Sequence, residues 1–210
     1  MNDIAYVGAL GVSQNSEQQV IEVPFDTASL WVYLTDASCT TCAQPYFSAC
    51  TNLKNLANVS FGFNRQNYTV FSPSMDACST NMNVSEHMSP KSINFYLILN
   101  STNSEDPTLD YPWPGSLGLG YSRGDHTFLH QINDQFFYKS LAFSIAGANG
   151  TSTVEWGATD PDLYTGSLFE IERSMDNDLL DYWLFDIQRV EYGSMALGLE
   201  NPSAIIATAA

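Results

Sequence analysis

Basic residues are scarce in this sequence. Its 210 residues include 7 Lys and Arg against 23 Asp and Glu, a formal net charge of −16 at pH 7. A surface of this sign repels phosphate groups instead of attracting them. We therefore expect no nucleic-acid partner and no binding to an anionic membrane.

Long apolar runs are also missing. The longest, such as residues 95–99 and 204–210, fall far short of the roughly 20 residues that a membrane helix needs. The N-terminal stretch MNDIAYVGALGVS has no basic region and no apolar segment of signal-peptide length. We expect a soluble chain without a membrane span, whose export signal lies outside this sequence or whose sequence is a fragment.

Cysteine and histidine are few. The four cysteines are Cys39, Cys42, Cys50 and Cys78. An even number predicts disulfides, with three possible pairings. Cys39 and Cys42 could instead form half of a zinc site, but no second Cys-X-X-Cys and no nearby His pair completes four ligands. We expect no metal and no cofactor.

Asn-X-Ser/Thr sequons are frequent for a chain of this length. They begin at Asn58, Asn67, Asn83, Asn100 and Asn149. Together with an even number of cysteines they predict a disulfide-bonded glycoprotein of the secretory pathway, extracellular or in a vacuole or lysosome.

Strand patterns dominate what is present. Alternating or branched and aromatic runs occur at residues 4–12, 20–25, 29–34, 60–63, 68–71, 93–99, 141–145, 153–156, 168–171 and 183–190. Gly, Pro, Asn and Asp separate them at short intervals. The best helix candidate is residues 127–140, and the polar stretch 100–108 predicts a loop. The chain is therefore predicted to be mostly β.

Two motifs resemble catalytic signatures but fail on their context. GYSRG, residues 120–124, fits a nucleophile elbow around Ser122, yet His126 and His130 follow too soon for the remaining strands of that fold. HTFLH spaces these two histidines like a zinc protease, but Thr127 stands where the glutamate base is needed. We interpret them as a glycine turn and as ordinary helix residues.

A third motif agrees with its surroundings. VPFDTASLWV, residues 23–32, resembles the active-site strand of pepsin-like aspartic proteases, in which Asp-Thr-Gly-Ser precedes Leu-Trp-Val. Further segments resemble that family in the same order: YVGALGVS, SLGLGYS, FLHQINDQFFYKSLAFSIA, EWGATDPDLYTGSLFEIE and YWLFDIQRVEYG. The resemblance implies a pepsin-like acid-protease fold, with one complete β-barrel-like lobe and a partial second lobe. Residues 1–166 would form the first lobe, and residues 167–210 the inter-lobe strands and the truncated start of the second.

The resemblance also implies a set of site residues. Asp26 is the expected catalytic aspartate, Thr27 and Ser29 are expected to support it by hydrogen bonds, and Trp31 and Tyr68 are expected to line the cleft. Phe63 competes with Tyr68 for the place of the cleft-covering tyrosine. Alanines replace two glycines of the family motif, at Ala28 and Ala209.

The second aspartate of the family is missing from its expected place. SAIIATAA, residues 203–210, puts Ala207 there and keeps Thr208. Aspartic proteases use two carboxylates that share one proton around a water, one as base and one as acid. A lone aspartate cannot hold both roles.

Two functions follow from the resemblance. The chain is expected to be an aspartic-type endopeptidase family member with impaired or absent activity, unless a second lobe or another copy of the chain supplies an acid. The alternative is a pepsin-like pseudoenzyme or fragment that binds a peptide or protein without cleaving it.

Overall fold

Strands make up most of the computed structural model. It describes residues 6–14, 17–42, 56–61, 66–71, 79–85, 88–90, 92–103, 113–121, 127–135, 140–146, 151–157, 159–174, 182–198 and 203–208. The strands are β1 Val7–Gln14, β2 Glu17–Asp26, β3 Val32–Thr35, β4 Leu56–Phe61, β5 Gln66–Phe71, β6 Ser79–Thr80, β7 Met82–Asn83, β8 Ile93–Asn94, β9 Tyr96–Asn103, β10 Gly115–Gly118, β11 Leu141–Ser144, β12 Thr153–Trp156, β13 Leu184–Asp186, β14 Val190–Tyr192, β15 Met195–Leu197 and β16 Ser203–Ile205. The mostly β prediction is confirmed.

Eight of these strands form one sheet in the order β4-β5-β9-β3-β10-β2-β1-β7. β1 and β2 form a long antiparallel hairpin, with Leu10 opposite Ile21. β10 enters between β2 and β3, parallel to the first and antiparallel to the second. This late strand closes the gap between two strands that are neighbours in sequence, and so fixes the loop that joins them.

The alternation of side chains in β3 divides the apolar interior into two clusters. Val32 and Leu34 point into the main core, which β1, β2, β9, β10 and the helix complete. Tyr33 points to the other face, where it packs with Cys39, Cys42 and Ile98. A central strand buried on both faces accounts for the unbroken run of apolar residues in this segment.

The predicted helix is much shorter than its sequence pattern. Helix α1 covers Phe128–Gln131, and a 3₁₀ turn follows at Asn133–Gln135. The Thr127 hydroxyl caps the helix by accepting the His130 N–H at 3.2 Å. Phe128 and Ile132 carry its burial. Asn and Asp then favour turns over continued helix; residues 136–139 lie outside the described part.

The remaining strands form small two-stranded sheets. β11 pairs with β12, β13 with β16, β14 with β15, and β6 with β8, all antiparallel. A second 3₁₀ turn covers Pro161–Leu163. None of the described helices is long and apolar enough to cross a membrane.

Two element predictions are wrong. The strand expected at residues 168–171 is not formed: this segment pairs with no described strand, and Leu168, Phe169 and Ile171 are 65%, 89% and 70% exposed. Branched and aromatic residues supply strand propensity, but a ladder needs a neighbouring strand. The loop expected at residues 100–108 begins later, because β9 continues to Asn103 opposite Gln66 of β5. The two-lobe division at residue 166 stays a prediction.

Candidate active site

Asp26 is the last residue of β2, where the strand runs into a tight turn. Its backbone lies beside β10, which pairs Gly118 with Asp26 in parallel register. The Leu119 N–H donates to the Asp26 carbonyl at 2.7 Å. The position of this aspartate is therefore set by a strand about ninety residues further along the chain, in addition to its own hairpin.

The loop after Asp26 lies tightly against β10. The Gly118 N–H donates to the Trp31 carbonyl at 3.0 Å, and the Gly120 N–H donates to the Ser29 carbonyl at 2.7 Å. A Cβ on Gly118 would lie 2.3 Å from the Trp31 carbonyl oxygen. Glycine is required there because the two backbones approach too closely for any side chain.

The carboxyl of Asp26 is held by the backbone of its own turn. The Ala28 N–H donates to Asp26 Oδ1 at 2.8 Å. Burial raises the pKa of Asp26 from 3.8 to about 6, and the N–H groups of Ala28 and Ser29 partly offset this rise by stabilising the charged form. An aspartate of this kind changes its charge in weakly acidic solution.

The alanine at position 28 is compatible with the turn. Among the described residues, Ser92 is the one residue other than glycine that has a positive φ, so the backbone of Ala28 is not left-handed. Its hydrogen bond to Asp26 uses a backbone N–H, which any residue except proline provides. Ala209, the second such replacement, lies outside the described residues.

A second loop, formed by residues 206–208 after β16, meets the first one. The Thr27 hydroxyl donates to the Ile206 carbonyl at 2.8 Å, and the Thr27 N–H donates to Thr208 Oγ1 at 3.1 Å. In return, the Thr208 hydroxyl donates to the Phe25 carbonyl. Both threonines are buried. Each hydroxyl donates its single proton to a carbonyl of the opposite loop, so the hydrogen bonds fix the two loops to each other.

Two of these hydrogen bonds are reciprocal and relate the two loops to each other. Thr27 bonds to the residue two positions before Thr208, and Thr208 bonds to the residue two positions before Thr27. Asp26 lies between Phe25 and Thr27, and Ala207 lies between Ile206 and Thr208. Asp26 and Ala207 therefore occupy matching places in two loops related by approximate two-fold symmetry. Ala207 is exposed and presents a methyl group where its counterpart presents a carboxyl.

The predicted supporting and cleft residues have distinct surroundings. The Thr27 hydroxyl is directed to the Ile206 carbonyl, and the contribution of Ser29 to the Asp26 pKa comes through its backbone. Trp31 packs edge-on against Tyr96, with ring centroids 5.2 Å apart. Tyr68 lies in β5, and its backbone pairs with Val59 of β4 and Ser101 of β9. Phe63 lies outside the described residues, so the tyrosine assignment stays a prediction.

Other predicted features are partly visible. Cys39 and Cys42 are joined by a disulfide, which selects one of the open alternatives and removes their thiols from the zinc hypothesis. Cys50, Cys78, Ser122, His126 and the sequon at Asn149 lie outside the described residues. The structure describes no group of three or more His, Cys, Asp or Glu side chains that could hold a metal ion within the ranges given above.

Trp183 was not predicted as a site residue, although the sequence comparison included its segment. Its indole N–H donates to the Leu119 carbonyl at 2.8 Å, and its own carbonyl accepts the Ile206 N–H at 3.1 Å. It therefore contacts both Leu119, which follows strand β10 beside Asp26, and the loop of residues 206–208 that includes Ala207. An indole at this place leaves no signal of its role in the sequence, because the role depends on contacts far along the chain.

Comparison with known proteins places this architecture in the pepsin-like fold. A crystal structure of an aspartic proteinase from Irpex lacteus superimposes on the chain with a TM-score of 0.70 and 18% sequence identity. The match covers 98% of this chain and 59% of the proteinase, so the chain corresponds to little more than half of that molecule. No protein-family model and no curated protein matches the sequence. The predicted fold class is confirmed.

Proposed function

We propose that this chain is an aspartic-type endopeptidase family member that binds extended peptides beside Asp26 and hydrolyses them poorly or not at all. The observation that carries this proposal is the reciprocal bonding of Thr27 and Thr208, from which we infer that Ala207 lies opposite Asp26. It supports a site with a single acid. The likeness in fold to an aspartic proteinase supplies the substrate class, a peptide or protein.

The chemistry of one carboxyl explains the proposed impairment. Peptide hydrolysis of this type needs a base to take a proton from water while an acid protonates or hydrogen-bonds the carbonyl. With a pKa of about 6, Asp26 is mostly protonated in acid and mostly ionised at neutral pH. It can fill either role, but not both in one step, and the methyl group of Ala207 exchanges no proton.

Completion of the site by a second copy of the chain is the less favoured alternative. The backbone N–H and the hydroxyl of Thr27 are already bonded to Thr208 and Ile206 of the same chain. A partner chain that brought its own Asp26 loop would first have to displace residues 206–208. We therefore propose that Asp26 faces its own Ala207, and that any peptide binds to a monomeric site.

Restoring the second acid tests this proposal. Wild type, Asp26→Asn, Ala207→Asp, Ala207→Asn and Asp26→Asn/Ala207→Asp would be incubated with an unfolded protein between about pH 2 and 6, with and without a statine-type inhibitor. We expect inhibitor-sensitive cleavage from Ala207→Asp, a trace at most from wild type, and none from the other variants. Ala207→Asn is the matched control, because it adds similar volume without an acid.

Two results would overturn the proposal. The first is inhibitor-sensitive cleavage by wild type that is as fast as that of Ala207→Asp and disappears in Asp26→Asn, because a second acid would then be present without position 207. The second is failure of wild type and Ala207→Asp to bind the inhibitor in fluorescence polarisation. Analytical ultracentrifugation on the same samples separates a completing second copy from a monomeric site.

We also propose that the chain passes through the secretory pathway. The Cys39–Cys42 disulfide and the exposed side chain of Asn100, which begins a sequon, support this. Expression with a secretion signal followed by glycosidase treatment tests it, since an unchanged mass after treatment would contradict glycosylation.

A further inference from the structure

A closed ring of four hydrogen bonds links the two loops of the candidate site. The Leu119 N–H donates to the Asp26 carbonyl at 2.7 Å, and the Trp183 indole N–H donates to the Leu119 carbonyl at 2.8 Å. The Ile206 N–H donates to the Trp183 carbonyl at 3.1 Å, and the Thr27 hydroxyl donates to the Ile206 carbonyl at 2.8 Å. Because Thr27 follows Asp26, the ring returns to its start.

We propose that Trp183 is a positioning residue that fixes the Asp26 loop and the Ala207 loop relative to each other. Its indole N–H donates to Leu119, which follows strand β10 beside Asp26. Its backbone carbonyl accepts the N–H of Ile206, the residue before Ala207. The inference rests on the proposed function, because it assigns the spacing of that same site to one residue. Trp183 touches neither reacting group and acts through Leu119 and Ile206.

The indole is braced from outside the ring. Tyr121 packs against it in a T-shaped arrangement with centroids 5.4 Å apart, and the Arg173 guanidinium lies 4.2 Å from the centroid of the Tyr121 ring. On the strand side, Leu184 is 1% exposed and its carbonyl accepts the Ser174 N–H at 2.8 Å. Tyr121 thus packs against the indole, and the hydrogen bond of Leu184 fixes the backbone that follows it, while the indole N–H donates to Leu119.

The chemistry of the bond to Leu119 requires tryptophan among the aromatic residues. Indole is a donor without an acceptor, and its N–H lies at the edge of a large apolar ring. Phenylalanine fills most of the same apolar space and donates no hydrogen bond. The substitution Trp183→Phe therefore removes one bond from the ring and leaves the packing against Tyr121 largely in place.

The titration of Asp26 measures the effect without any substrate. Its carboxyl carbon would be followed by NMR over pH 3 to 8 in wild type, Trp183→Phe and the control Trp156→Phe. Trp156 packs against Phe128 in the main core, outside the ring. If the ring keeps the Asp26 loop closed, Trp183→Phe admits water, and the Asp26 pKa falls from about 6 towards 3.8 by about one pH unit. Trp156→Phe leaves it unchanged.

Two outcomes overturn the positioning role. One is an unchanged Asp26 titration in a folded Trp183→Phe protein, and the other is an equal shift in both variants, which would indicate general loosening. Should Trp183→Phe fail to fold, hydrogen exchange of the wild type decides, since the ring requires the Trp183 indole proton to exchange at least about tenfold more slowly than an exposed indole. Because no peptide is present, either failure leaves the Ala207→Asp cleavage test of the proposed function intact.

Discussion

Replacing Asp26 with asparagine should stabilise the protein at neutral pH and leave it unchanged in acid. The folded chain holds the Asp26 proton more tightly than the unfolded chain, because its pKa is about 6 against 3.8. Between these values the folded state binds more protons, so its stability falls as the pH rises. The penalty is absent below pH 3.8 and fully present above pH 6. Asparagine carries no charge at any pH, and its side-chain oxygen can still accept the Ala28 N–H.

The size of this effect follows from the pKa difference. The gap between 3.8 and about 6 corresponds to at most about 3 kcal/mol, and partial access of solvent to Asp26 reduces this to about 2–3 kcal/mol. Urea unfolding, followed by tryptophan fluorescence at pH 3.5, 5.5 and 7.5, measures it in wild type and Asp26→Asn. The exposed Asp134→Asn controls for the loss of one acidic residue. A stability difference between wild type and Asp26→Asn that stays constant across this pH range would refute burial as the cause of the shift.

Two further predictions concern the structure around the site. Thr208→Val removes the hydroxyl that bonds to the Thr27 N–H and the Phe25 carbonyl. It should lower the free energy of unfolding by about 2–4 kcal/mol, because both buried groups lose their partner. The exposed Thr165→Val is its control, and equal losses in the two variants would contradict the argument. Gly118→Ala places a Cβ against the Trp31 carbonyl and should destabilise the fold by at least about 1–3 kcal/mol. Gly198→Ala should change little, because a Cβ there would have no described residue within 4 Å apart from its chain neighbours. Thermal unfolding of both glycine variants checks this, and similar midpoints would refute the close approach.

Local patterns predicted many of the strands but missed β6, β7, β10, β15 and β16, and they did not predict which strands pair. Residues 153–156 form a strand at the predicted bounds. The range predicted for β2, residues 20–25, omits four polar residues at the two ends of the strand. The failed strand at residues 168–171 is as rich in apolar, branched and aromatic residues as the successful ones. What differs is the neighbour, since pairing depends on segments distant in sequence. The insertion of β10 beside Asp26 could be expected only from the ordered family resemblance.

The candidate site, like the fold, could be predicted from the sequence only in part. The motif around Asp26 and its altered counterpart at Ala207 could be found by comparing segments in order along the sequence. The raised pKa could not, because burial is a property of the packed loops and not of the motif. The role of Trp183 could not be predicted for a related reason: its hydrogen-bond partners, Leu119 and Ile206, lie in two segments that meet only after folding.

The threonines of the two loops hold the candidate site together without using its carboxyl. Thr27 and Thr208 join the loops through hydroxyl and backbone groups, and no carboxyl takes part in those bonds. An alanine at position 207 therefore leaves the junction intact, and on the proposed function it leaves the site with one acid. Asp26 then experiences no repulsion from a carboxyl at position 207. Asp26 then bears only the cost of its own burial, which is why a single-acid site of this kind can stay folded and keep a carboxyl that titrates near pH 6.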